Sequence, residues 1–390
     1  MSWIKPNTIT GSVAEGDKYF RRDEIESRIW DEILNHNHVL FLASRRVGKT
    51  SIVKYMSDNP PGSWYCKYEN IQSDRSVQDF YKRLCRMTNE SVSILGKLEK
   101  LVATILSKYK IVSLGPDGIG LEHQEVNYRD LFFEILKHLK KEKQKVVLFL
   151  DEFPDVIHNI YNDHGAIPAE QLLSDMRTFR QSNDFKDVFV MVLLGSVGLN
   201  HIVAKISGRT DKVNDLHKEY LSALSLEQAL DFLDHLLQGA TMKVDNETRI
   251  YILKKIGHFI PYYIQLLIED CDQELRTAKR HELTIADIDA IYNLLIAKNE
   301  HFVDWENRLS RYFPEKQDYL MAILSTCAMK QKIEMKELYN IAVSKNIKSD
   351  WKAIVDDVLV ADGYLYEENG NFAFNSPLLR DWWKARFPIL

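Results

Sequence analysis

Cysteine is scarce: the 390 residues hold four, Cys66, Cys85, Cys271 and Cys327, and no two stand at metal-ligand spacing. That speaks against a disulfide-stapled secreted domain and against a cysteine metal knot. Scattered cysteines of this kind fit reduced thiols in a cytoplasm. Long apolar runs are missing as well. The longest, "VVLFL" and "VFVMVLLG", fall far short of the roughly 20 residues that a membrane helix needs, so no membrane association is expected. "MSWIKPNTITGSV" lacks a basic segment leading into an apolar one and is not expected to be a signal peptide. The 12 histidines form no H-E-x-x-H motif and no Cys/His cluster, which leaves no zinc chemistry to pursue. "GSVGL" is no serine elbow, because Leu194 stands where the first glycine belongs. There is no internal repeat, no low-complexity tract, and no excess of one charge. With 51 Lys and Arg against 56 Asp and Glu, the net charge is −5, which gives no global pull toward nucleic acid.

The length allows two or three domains. An irregular start ends in "GDKYFRR". A helix follows, "RDEIESRIWDEILNH", with Ile25, Ile29 and Leu34 expected on one stripe. "HVLFLA", "WYCKYEN", "KVVLFLDEFPDV" and "DVFVMVLLGSVGL" read as strands, and "EQLLSDMRTFRQS" as a helix. "KIVSLGPDGIGLEH" reads as a hairpin turning at Pro-Asp-Gly. Strands alternating with helices predict βαβ units and a parallel sheet. Past residue 220 the strand pattern stops. "SLEQALDFLDHLLQG", "NETRIYILKKIGHFIPYYIQLLIEDCDQEL" and "TIADIDAIYNLLIAK" are helical, each opening on a serine, asparagine or threonine cap. Helices then run to about Ala361, and "GYLYEENGNFAFNSP" predicts a hairpin at Asn369-Gly370. The expected architecture is α/β: a domain with its parallel sheet sandwiched by helices over 1–219, an all-helical domain over 220–307, and over 308–390 helices followed by a terminal hairpin, the pattern of a winged-helix domain.

The chemistry concentrates in "VLFLASRRVGKTSIVKYM". An apolar strand runs into a small-residue loop, Gly-Lys-Thr, and a helix, which is the phosphate-binding arrangement of P-loop NTPases. Amides at a helix start are unpaired and carry partial positive charge. Residues 43–51 (Ala43, Ser44, Arg45, Arg46, Val47, Gly48, Lys49, Thr50 and Ser51) are thus the candidate phosphate cradle. Lys49 is placed for the β- and γ-phosphates, and the Thr50 hydroxyl for Mg²⁺. The full pattern has glycine at position 43. Ala43 is tolerable there if its φ is negative and costly if φ is positive. "KVVLFLDE" ends an apolar strand in Asp151 and Glu152. Asp151 is the candidate Mg²⁺ acid, and Glu152 the residue that orients the attacking water. Ser196 ends the next apolar strand and is a candidate sensor of the γ-phosphate, with a plain turn as its alternative. Arg209, in "SGRTDK", is a candidate arginine finger across a subunit interface, or else a solvated loop arginine. Arg177 and Arg180 are expected to be solvated or paired to acids.

"GDKYFRRDEIESRIW", "ASRRVGKTS", "VVLFLDEF", "LLGSVGL", "GHFIPYYIQLL" and "FNSPLLRDWWKARF" follow one another in an order that resembles the archaeal-type ATPases of the STAND branch. These lie close to the AAA+ and origin-recognition ATPases. The resemblance covers nearly the whole chain and implies ATP or ADP with Mg²⁺ as cofactors. It places an adenine-side element at "YFRRDEI", through Phe20, Arg22 and Ile25, with Arg21 where glycine is usual. It implies a lid contact to base or ribose at Pro261, for which an ordinary first-turn proline is the alternative. It also implies a terminal winged helix, with "SPLLRDWW" as its last helix, that closes over the nucleotide.

A winged helix reads DNA through basic residues. Residues 310–390 hold 11 Lys or Arg and 11 Asp or Glu, and the expected wing "YEENGN" is acidic. An ATP-dependent switch acting on itself or on a protein partner is therefore favoured; a place in bacterial stress or anti-phage systems is what the resemblance alone implies. The alternative is a DNA-handling ATPase of the initiator or transposition-accessory kind. A nucleotide scaffold that does not hydrolyse is disfavoured by the intact Glu152.

Overall fold

The computed structural model describes residues 3–92, 112–115, 118–121, 127–195, 199–208, 211–298, 300–347 and 349–387. The chain forms two compact units. One comprises Arg22–Leu42 and Ile52–Tyr220, the other Met1–Arg21, Ala43–Ser51 and Leu221–Leu390.

The first unit is built on a five-stranded sheet. Helix α1 (Asp23–Leu34) leads into β1 (Val39–Ala43), and α2 (Lys49–Asp58) leads into β2 (Trp64–Asn70) and α3 (Val77–Val92). A hairpin of β3 (Val112–Gly115) and β4 (Gly118–Leu121) precedes α4 (Tyr128–Glu142), β5 (Lys145–Asp151), α5 (Phe153–His164) and α6 (Ala166–Gln181). Then come β6 (Phe189–Gly195), α7 (Leu199–Ser207) and β7 (His217–Leu221). The order is β2-β5-β6-β1-β7, and the pairs β2–β5, β5–β6 and β6–β1 are parallel. The expected hairpin forms between β3 and β4; its Pro116-Asp117 turn lies outside the described residues.

Strands β1 and β6 are buried throughout, and β5 at all but its first residue. A parallel sheet covered on both faces requires this. Leu40, Leu42, Leu148, Leu150 and Leu193 pack on one face with Phe80 and Leu84 of α3 and Ile135 of α4. Phe149, pointing the other way, meets Trp30 of α1 edge-on with centroids 6.3 Å apart. The buried stripe of α1 is Ile25, Ile29 and Ile33, while Leu34 is 49% exposed. The expected stripe is thus corrected at its end: each residue turns the helix by about 100°, which carries position 34 off the face that 25 and 29 share. Edge strand β7 gave no apolar signal because most of it is solvent-exposed.

In the second unit α8 (Leu226–Leu237), α9 (Asn246–Ile256), α10 (Pro261–Ala278), α11 (Ile285–Ala297) and α12 (Val303–Tyr312) are followed by α13 (Gln317–Lys330) and β8 (Lys332–Glu334). Then come α14 (Met335–Ser344), α15 (Trp351–Ile354), β9 (Leu365–Glu368), β10 (Asn371–Phe374) and α16 (Pro377–Arg386). Ser225 with Gln228, and Thr284 with Asp287, form reciprocal capping boxes at α8 and α11. The long helical segment from residue 246 is in fact two helices, and the cap of the first is Asp245 rather than Asn246. The chain breaks at Gly257, whose φ is +72°. A Cβ there would lie 2.5 Å from Pro377 Cγ at the start of α16, so only glycine fits. Asn369 (φ +51°) and Gly370 (φ +75°) turn the terminal hairpin, as an Asn-Gly pair favours. Strand β8 joins it in an antiparallel sheet of order β8-β10-β9. No helix among the described residues is long and apolar enough to cross a membrane.

His38, at the foot of β1, is buried, and its Nδ1 accepts the Met191 N–H at 3.0 Å. Burial, helped by the charge of Arg180, pushes its pKa down to about 3 from an ordinary 6.5. The unfolded chain therefore takes up a proton that the folded one refuses, and stability falls as pH drops through 6.5 toward 3. Between pH 7 and pH 5 His38 is expected to contribute a loss of about 2 kcal/mol. Urea unfolding at the two pH values, compared with His38→Gln, checks this: the variant should lose about that much less.

Candidate functional site

Strands β1, β5 and β6 end at one edge of the sheet, at Ala43, Asp151 and Gly195. In open α/β sheets ligands gather at such C-terminal edges. Ala43 needs no glycine-like freedom. It is the last residue of extended β1, and the positive φ values of the loop fall at Arg46 (+68°) and Gly48 (+100°). Gly48 thus sits where a side chain would be strained. Helix α2 begins at Lys49, which puts Lys49, Thr50 and Ser51 in its first turn, where backbone amides have no partner within the helix. Val47 is buried, and the Ser51 hydroxyl accepts the Ala14 N–H at 3.2 Å.

The rest of the loop is held by its own unit. The Arg46 guanidinium lies 4.0 Å above the ring of Tyr262, and its Nη2 is 3.4 Å from Asp304 Oδ2. Arg45 Nη1 stands 3.8 Å from the same oxygen. Tyr262 follows Pro261, the N1 residue of α10, a position that proline favours. Ser44 lies against Gly363, where an added Cβ would be 2.6 Å from its Oγ. Beside Gly363, Asp362 accepts from Arg308 at 3.1 Å. Burial works against the charge of Arg308, but the Asp362 carboxylate outweighs it and raises its pKa. Rings connect these points: Tyr263 stacks on Phe302 and Phe302 on Trp382, with centroids 5.8 and 5.5 Å apart. The Trp305 indole donates to the Tyr263 hydroxyl at 3.1 Å, and the Tyr364 hydroxyl to the Trp305 carbonyl at 2.7 Å.

Phe20 packs on α8, with its ring 5.2 Å from Phe232 and 5.7 Å from His235. Arg22 is the N-cap of α1, and its N–H donates to Glu26 Oε1 at 3.2 Å. Arg177 pairs with Asp211 at 2.7 Å, and Arg180 with Asp215 at 2.8 Å. Ser196 and Arg209 lie outside the described residues.

At the acid pair, Asp151 is 2% exposed. Its Oδ1 accepts the Glu152 N–H at 3.0 Å, and its Oδ2 accepts the Tyr68 hydroxyl at 3.1 Å. Glu152 caps α5 from the left-handed region (φ +62°, ψ +38°), a strained conformation that tends to mark functional positions. Gly195 permits the close packing of that helix, since a Cβ there would lie 2.5 Å from Pro154 Cγ. No role for Tyr68 or Gly195 was signalled by any sequence motif. Among the described residues no three His, Cys, Asp or Glu form a metal cluster. The carboxylate of Asp151 and, in the other unit, the hydroxyl of Thr50 are each hard oxygen donors of the kind that Mg²⁺ takes, an ion held largely by phosphate and water. Burial pushes the thiols of Cys66, Cys85 and Cys327 up to about 12, so they are no nucleophiles.

The strand order, the loop between β1 and α2 and the acid-tipped β5 define the P-loop ATPase fold, with its helical lid. No family's sequence profile matches the chain, and no curated protein does. Among solved structures it is similar to the Walker-type ATPase PABY2304 of Pyrococcus abyssi, with a TM-score of 0.64, 18% identity, and 95% of this chain and 98% of that one covered. It is also similar to the ORC2 protein of Aeropyrum pernix in its ADPNP–ADP complexes, with a TM-score of 0.56, 13% identity, and 98% and 96% covered. The fold is thus that of the archaeal Walker-type and origin-recognition ATPases over nearly the whole chain, as the resemblance implied.

Gly363 and Gly370 share a positive φ, of +85° and +75°, but only the first abuts another side chain. Gly370→Ala is expected to lose about 1 kcal/mol from the left-handed backbone alone. Gly363→Ala adds the collision with Ser44 and is expected to lose at least about 1 kcal/mol more. Thermal unfolding of both variants checks the difference.

Proposed function

We propose that this protein is an ATP-hydrolysing molecular switch. The amides of residues 43–51 and the Lys49 ammonium bind the phosphates. Thr50 and Asp151 are the residues assigned to Mg²⁺, which when bound neutralises charge on the β- and γ-phosphates. Glu152 orients the attacking water, with Ser196 as sensor and Arg209 as finger from a neighbouring copy. Phe20, Arg22 and Pro261 attend the base and ribose. The chain divides functionally into 1–219, the lid 220–307, and 308–390, which we read as a winged helix.

The observation that carries the switch is the hold on the loop from within its own unit. Asp304 of α12 engages Arg45 and Arg46, and Gly363 packs on Ser44. A triphosphate entering the loop competes with Asp304 for those arginines. Whatever nucleotide does to α12, α12 must then do to nucleotide affinity, because coupling is reciprocal. The output we favour is self-assembly or capture of a protein partner in the cytoplasm; a place in bacterial stress or anti-phage defence rests on the resemblance alone. The rival, duplex DNA handling, is weakened by local pairing of the module's basic residues. Lys330 pairs with Glu337, Lys352 with Asp356 and Glu367, Arg380 with Asp381, and Arg386 with Glu306.

Phosphate release and mass photometry test this together. With Mg²⁺ and ATP the wild type should turn over slowly and change its mass distribution. Glu152→Gln should hydrolyse at least about 100-fold more slowly and still bind ATP. Equal rates in the two proteins would remove the assigned role of Glu152. A mass distribution indifferent to ATP, together with a salt-steep gel shift on duplex DNA, would favour the rival.

A further inference from the structure

Tyr68 stands on β2, an edge strand that carries no residue expected of the site. In the β2–β5 register Tyr68 is opposite Phe149, and Asn70 is opposite Asp151. Residues two apart share a face of a sheet. Tyr68 and Asp151 therefore point to the same side, the side on which Phe149 meets α1. Lys54 of α2 lies on that side too, with its Nζ 5.9 Å from the centre of the Tyr68 ring. From there the Tyr68 hydroxyl reaches along the strand direction to Asp151 Oδ2 at 3.1 Å.

Asp151 thus has a donor at each carboxylate oxygen, the Glu152 N–H at Oδ1 and the Tyr68 hydroxyl at Oδ2. Each oxygen has two lone pairs, and a donor fixed on one sets the direction of the other. A buried carboxylate that must accept from a metal-bound water needs that direction set in advance. We propose that Tyr68 is a positioning residue for the metal-dependent part of nucleotide binding: its hydroxyl locks the Asp151 carboxylate in the orientation that receives Mg²⁺·ATP. This rests on the phosphate-loop reading above. A phenylalanine would cover the same apolar surface, so the hydroxyl is the part that the packing of β2 does not require.

Hydrogen bonds to a metal-holding carboxylate are commonly worth about 10- to 100-fold in metal affinity. Calorimetric titration of ATP into the full-length chain, once with Mg²⁺ and once with EDTA, separates the possibilities. Tyr68→Phe should weaken binding about 10-fold in Mg²⁺ and leave the EDTA affinity as in the wild type, which also shows that the variant is folded. In an Asp151→Asn background, Tyr68→Phe should add nothing, because the two act as a unit. Unchanged affinity in Mg²⁺, equal weakening in both media, or full additivity with Asp151→Asn would each overturn the proposal and leave Tyr68 a packing residue. A wild type that binds ATP no better with Mg²⁺ than with EDTA would instead bring down the metal assignment itself, and this proposal with it.

Discussion

Between Ala43 and Lys49 the backbone leaves a buried strand, passes two left-handed residues and enters a helix. The functional account depends on that path, because only such a turn aims successive amides and a helix start at one point. Gly48 takes its left-handed conformation without strain. Arg46 does not: a side chain in that region costs about 1–2 kcal/mol. The stacking of Arg46 on Tyr262 and its pairing with Asp304 offset that cost. The strained residue of the loop is therefore the one that Tyr262 and Asp304 hold.

The acid pair shows the same economy. Glu152 also occupies the left-handed region without being glycine, and its conformation sends its own N–H back to Asp151. Pro154 then starts α5 against Gly195, where no side chain fits. The acid pair is thus set by backbone geometry and a proline–glycine contact at Glu152, and by the hydroxyl of Tyr68 on Asp151 across the neighbouring strand.

Much of this was legible in the sequence, and physics says which parts. Strands β1, β5 and β6 announced themselves because a doubly covered strand is apolar throughout. Helices α8 and α11 carried complete capping boxes, and Asn369-Gly370 allowed little but a tight hairpin. The phosphate loop and the Asp-Glu pair were readable because each motif is local. What stayed hidden was polar, short or distant. Strand β7 faces solvent, β8 has three residues, and the break at Gly257 answers to Pro377, far along the chain. Arg46 and Asp304 are 258 positions apart, and Tyr68 and Asp151 are 83 apart. No spacing rule links such pairs, so one tyrosine among 18 could not be singled out before the register of β2 on β5 was known.

The central claim is that the loop after β1 grips the phosphates of ATP. Equilibrium dialysis of radiolabelled ATP against the wild type and Lys49→Ala tests it most directly. The account predicts one ATP per wild-type chain and an affinity at least about 10-fold weaker in the variant, the loss expected for a charge-assisted contact. Equal binding by the two proteins, or none by the wild type, would contradict it.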